Sequence, residues 1–218
     1  MNFNHLLNQV LGAVQKNAGQ AGNIGNILSG NKGALAKVGS SAAALGLVSS
    51  FLKKKNGKTL VQVGSMAALG ALAYHAYQSW QSNNQKQGGN AAVLDQSAFT
   101  PTGVAAENAG RIILRTMIAA AAADGLIDEA ERALIQNEAG EDAETQQWVT
   151  AEVNKPASAA EIAREIGANP ALAAEAYLAA RIVSADLQRK EIVFLSQLAQ
   201  ALNLDDALVE NLERQAGF

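Results

Sequence analysis

The stretch Thr59–Tyr77, TLVQVGSMAALGALAYHAY, carries no formal charge when His75 is neutral. As a helix its 19 residues would rise roughly 28 Å, about the hydrocarbon thickness of a bilayer. Lys58 precedes it, and Tyr74, Tyr77 and Trp80 gather at its far end, where aromatic rings favour the headgroup level. This pattern predicts a membrane helix bounded by Thr59 and Tyr77. The segment is also rich in Ala and Gly, with Gln62 inside it, so a buried bundle helix or a helix lying on a membrane fits the same residues.

Charge divides the chain around this stretch. Residues 1–94 hold eight Lys and no Asp, Glu or Arg, whereas residues 95–218 hold 20 acids against seven Arg and two Lys, a balance of −11. A basic N-terminal part suits an anionic cytoplasmic leaflet, where each nearby Lys contributes about 1 kcal/mol. It has no Arg and few aromatic residues to read or stack on bases, which argues against nucleic acid as a partner. The absence of Cys excludes disulfides, thiolate nucleophiles and Cys-based zinc sites. The start of the chain has no basic region leading directly into an apolar core, so it does not read as a cleavable signal.

Four regions follow. Residues 1–33 form a basic, Gly- and Asn-rich part whose Phe3, Leu6, Leu7, Val10, Leu11 and Val14 recur at helical spacing. That amphipathic helix packs either on a neighbour in the same chain or at a membrane interface. Residues 34–78 carry the apolar stretches Ala34–Leu52 and Thr59–Tyr77, joined by Lys53–Lys58, KKKNGK. Small residues at Gly39, Ala43, Gly46, Gly64, Ala67 and Ala71 suit close helix approach in lipid. The basic turn is expected on the cytoplasmic side, which sends the C-terminal part to the other side. Residues 79–102 are polar and read as a linker.

Residues 103–218 read as helical almost throughout. Helices are expected over Ala105–Ala123, from Asp128, over Ala143–Val153, from Ser158, from Asn169-Pro170, over Arg189–Leu202 and over Asp205–Gln215. Ser158 with Glu161 is a capping-box pair, and Asn169-Pro170 supplies a cap and an N1 proline. Val149, Val153, Tyr177, Leu178 and Ile182 are expected core, and Trp148 with them. The fold class is all-α, with N-terminal membrane-associated helices and a C-terminal compact helical bundle.

The run MIAAAAADGLIDEAER, Met117–Arg132, resembles the signature of the tellurite-resistance TerB-like helical domain. The run YLAARIVSADLQRKEIVFLSQLAQALNL, Tyr177–Leu204, resembles that domain's second helix pair. The whole order of parts resembles the YebE-type inner-membrane family, for which no activity is established. The resemblance implies an all-α fold, an inner-membrane location in a Gram-negative bacterium and a loose link to stress or tellurite. It also implies acidic residues that bind a divalent cation, Ca²⁺ or Mg²⁺. By position these are Asp124, Asp128 and Glu131, with Asp186 and Glu191 as counterparts. The same residues also serve as turn and cap groups, and Arg189 and Lys190 place positive charge beside the second set.

Catalysis has little to draw on. The two histidines, His5 and His75, lie outside the helical bundle region, and no Gly-rich loop follows a strand. The sequence therefore reads as a membrane-anchored, non-enzymatic helical module with membrane lipid and a protein partner or a second copy as its contacts. The alternatives are a divalent-metal-binding or sensing domain and, further off, a hydrolase using paired acids. The C-terminal part is expected on the periplasmic side of the inner membrane.

Overall fold

Leu6, Leu7, Val10 and Leu11 fall on one face of a 3.6-residue period, and they are buried in helix α1, Phe3–Ala18. They belong to a computed structural model that describes residues 2–18, 63–86, 88–89, 91–123, 143–184, 187 and 189–218. Helix α2, Met66–Lys86, follows. Ser65 caps it by accepting the Ala68 amide at 3.2 Å, and Asn8 of α1 accepts the Met66 amide at 2.7 Å. Two donors that a helix start leaves unpaired are thus satisfied, one of them by α1.

A 3-10 turn, Gln96–Phe99, precedes α3, Gly103–Ala122. Then come α4, Ala143–Asn154; α5, Ala159–Ile166; α6, Pro170–Val183; α7, Arg189–Ala201; and α8, Asp206–Gln215. The described residues contain eight α-helices and no strand. The local signals act where the sequence places them. Ser158 Oγ accepts the Glu161 amide at 3.3 Å, and Glu161 returns a 2.8 Å bond to the Ser158 amide. Asn169 accepts the Leu172 amide at 3.1 Å, with Pro170 at the first turn of α6. Gly167 ends α5 at φ 62°, a backbone region that costs glycine little.

Helix α6 is the centre. Its residues 171–183 are all buried, and α2, α3, α5, α7, α8 and the 3-10 turn pack around it. Helix α1 lies across α3 beside Gly110, where an added Cβ would sit 3.2 Å from the Asn4 backbone. Arg111 and Arg115 of α3 pair with Glu165 of α5, and Arg115 also reaches Glu152 of α4 at 3.0 Å. These pairs tie three helices together along one side of the core.

The structure does not bear out the reading of Thr59–Tyr77 as a spanning helix. No helix among the described residues is long and apolar enough to cross a membrane. From Met66 the run belongs to α2, which continues through polar residues to Lys86 and so enters the stretch read as a linker. Its apolar face, with Met66, Leu69, Ala73, Ala76 and Tyr77, is buried in the common core. The expected interfacial aromatics face protein as well. Tyr77 donates to the Ala92 carbonyl at 3.0 Å, and Trp80 Nε1 donates to Asp205 Oδ1 at 3.0 Å. Uncharged, small-residue helices suit lipid and a crowded protein core alike, because both reward close backbone approach. Thr59, the connector 17–33 beyond Ala18, Ala34–Leu52 and Lys53–Lys58 lie outside the described residues.

Candidate functional site

A helix enclosed on all sides should carry apolar side chains only, yet α6 carries Glu175, Tyr177 and Arg181. These buried polar groups, with Ser184 just past the helix, are the chemically distinctive feature of the bundle.

Glu175 points at the packing between α6, α2 and the 3-10 turn. A Cβ placed at Gly70 of α2 would come within 3.0 Å of both the Phe99 carbonyl oxygen and Glu175 Oε1. Only glycine allows this approach. Glu175 is 1% exposed, and its Oε1 has no hydrogen-bond partner. Burial pushes its carboxyl up to about 8, so the group holds its proton at neutral pH. The rings of Tyr74 and Tyr77 pack on Phe99 at 5.6 and 5.8 Å between centroids, closing the apolar cover.

On another side of α6, the Tyr177 hydroxyl donates to Glu213 Oε1 of α8 at 2.9 Å. Arg181 Nε lies 3.3 Å from the same oxygen, an ion pair not aligned for a hydrogen bond. Arg181 Nη1 donates to the Ser184 carbonyl at 3.0 Å, and the guanidinium lies 3.7 Å from the centre of the Phe218 ring. Burial pulls Arg181 below the ordinary guanidinium range, opposed by the charge of Glu213 and, further down, of Glu191. Burial first, and then the Glu213 charge, push the Tyr177 phenol well above its usual range. The Tyr177 phenol therefore keeps its proton, and the cluster ties α6 to α8 and to the Phe218 ring.

Of the candidate cation ligands, Asp124, Asp128, Glu131 and Asp186 lie outside the described residues. Glu191 is described. It is 1% exposed in the first turn of α7, and its negative charge acts on Arg181, so a resident guanidinium already stands near it. Among the described residues no three His, Asp or Glu side chains gather as a metal site would need. His5 and His75 are both exposed, His5 against Gln9 at 2.7 Å and His75 beside the Tyr74 ring.

The sequence reading missed Glu175, Arg181 and Glu213. One signal was present: a Glu and an Arg inside the otherwise apolar run PALAAEAYLAARIV.

Residues 37–216 match the family model described as "Protein of unknown function (DUF533)". The chain belongs to this family. The match takes in α2 to α8, so Gly70, Phe99, Glu175, Arg181 and Glu213 all fall within the DUF533 region, whereas α1 precedes it. No curated protein and no solved structure matches the chain.

Proposed function

We propose that this DUF533 protein is a non-enzymatic helical module that works at a membrane surface and binds a protein partner there. The observation that supports it is the inward use of polar chemistry. Glu175, Tyr177 and Arg181 sit on the fully enclosed α6, and Arg111, Arg115, Glu152 and Glu165 join helix to helix. A catalytic site instead needs such groups to converge on a cavity that substrate can enter.

The membrane part of the reading follows from the charge division. With Met66–Tyr77 taken into the bundle, the apolar stretch left for lipid is Ala34–Leu52, and the basic turn Lys53–Lys58 follows it. Four Lys in that turn suit anionic headgroups at about 1 kcal/mol each. The finer likeness to TerB-like domains and YebE-type proteins supports the bacterial inner membrane as the site of action. By the positive-inside rule the Lys53–Lys58 turn faces the cytoplasm, and α2 follows it with no further apolar stretch between them, which favours the cytoplasmic face of the membrane for the acidic bundle.

Vesicle flotation of the full chain tests this. The chain should float with vesicles of phosphatidylethanolamine and phosphatidylglycerol. Replacing Lys53, Lys54, Lys55 and Lys58 by Gln should release most of it. A full chain that stays at the bottom of the gradient with these vesicles removes the membrane from the function.

A further inference from the structure

We propose that Glu175 is a proton-operated latch: its neutral carboxyl lets α2 and the Gln96–Phe99 turn close over α6, and loss of its proton loosens α2 from the bundle. The inference stands apart from the membrane reading and survives its failure.

The geometry carries it. Three elements meet at Gly70, so closely that the glycine backbone, the Phe99 carbonyl and Glu175 Oε1 leave no room for a methyl group. The carboxyl oxygen there has no donor facing it. An ionised carboxylate needs donors or water, and neither fits while α2 is seated. Water must enter through the cover or through the core. The core route would displace α6, which is buried along its length, whereas the cover route shifts only α2 and the turn. The cover is the weaker side.

Among the described residues, no charged group stabilises the ionised form from a neighbouring element. On α3, Arg111 and Arg115 are tied to Glu165 and Glu152. On α5, Glu161 serves the Ser158 cap and Arg164 is exposed. On α7, Arg189 and Lys190 are exposed, and Glu191 acts on Arg181. On α8, Glu213 is held by Tyr177 and Arg181, and Arg214 by Glu210. Helix α2 brings the phenols of Tyr74 and Tyr77, and the turn brings only backbone. Burial is accordingly the sole cause of the raised carboxyl pKa.

Hydrogen exchange on the full chain and on Glu175→Gln tests the latch. Comparing the two proteins at the same pH cancels the intrinsic pH dependence of exchange. The wild-type α2 amides should exchange at nearly the variant's rate near pH 4.5. They should then gain on it about ten-fold per pH unit up to about pH 8 and level off. Amides of α3 and α6, which open only when the whole bundle unfolds, should follow the same pH trend but exchange well below the α2 amides at every pH. An α2 ratio that does not change with pH, or α2 amides that exchange no faster than those of α3 and α6, overturns the proposal. A carbon-13 titration of the wild-type Glu175 carboxyl gives an independent check, and a midpoint below about 6 would equally overturn it.

Discussion

The Tyr177 hydroxyl donates to Glu213 Oε1 at 2.9 Å, and so links the central helix to the last one. The same oxygen faces Arg181, whose guanidinium covers the Phe218 ring and whose Nη1 holds the Ser184 carbonyl. Glu213 has two partners and Arg181 three, so the two phenotypes should differ. Tyr177→Phe leaves Glu213 with Arg181 and should cost about 1 kcal/mol in urea unfolding. Arg181→Met keeps the apolar stem but loses every polar contact, and should cost about 2–3 kcal/mol. Equal losses would mean that the hydroxyl, not the guanidinium, organises the cluster.

Helix α1 gives a cleaner test of what the N-terminus does. Leu7 and Leu11 are fully enclosed, against a core shared with α2 and α3. Leu7→Ala and Leu11→Ala should each destabilise the chain in aqueous buffer by about 2–5 kcal/mol. A helix that packs only on lipid would leave stability in buffer unchanged.

The terminal signals and the cores of single helices were legible because they are local. The Ser158–Glu161 box, the Asn169-Pro170 start and the buried Val149, Val153, Leu178 and Ile182 stand where the pattern puts them. Trp148 is half-buried, edge-on to Phe3 at 4.9 Å between centroids. The role of Met66–Tyr77 was not legible, since its small residues fit lipid and protein equally well. Nor was the significance of Glu175, which depends on Gly70 and Phe99, residues distant in sequence that meet only in the folded chain. The expected helix from Asp128 lies outside the described residues.

Arg115 binds Glu152 and Glu165 at 3.0 and 2.8 Å, with all three side chains largely shielded. Burial works against its charge, but the two carboxylates more than offset this and raise its pKa. Arg115→Met should lower stability by about 1–2 kcal/mol at low salt. The difference should shrink in about 1 M NaCl, where charges are screened over roughly 3 Å. A loss unaffected by salt would assign the effect to packing of the side-chain stem.

Glu175 also sets a pH dependence of global stability. In the folded chain its carboxyl keeps a proton up to about pH 8, against an ordinary value of 4.5. Between those values the unfolded chain binds fewer protons than the folded one. Stability from this group is therefore complete below about pH 4.5 and falls by roughly 1.4 kcal/mol per pH unit up to about pH 8. Glu175→Gln should remove that component, so that the variant gains on wild type steadily from pH 5 to pH 8 in urea titrations. A constant difference between the two proteins would place an ionised carboxylate in the fold.

The last prediction concerns where the folded unit begins. The sequence places a boundary near residue 103, but Leu69, Ala73, Ala76, Tyr77 and Phe99 are buried in the same core as α3 and α6. A fragment of residues 103–218 would uncover the Glu175 side of α6 and the side of α8 that packs along α2. It should keep helical circular dichroism, bind a hydrophobic dye and lose its sharp thermal transition. A fragment of residues 63–218 should recover most of the cooperativity, and the full chain the remainder through α1. If residues 103–218 melt as sharply and at the same temperature as the full chain, α1 and α2 are accessories rather than parts of the core.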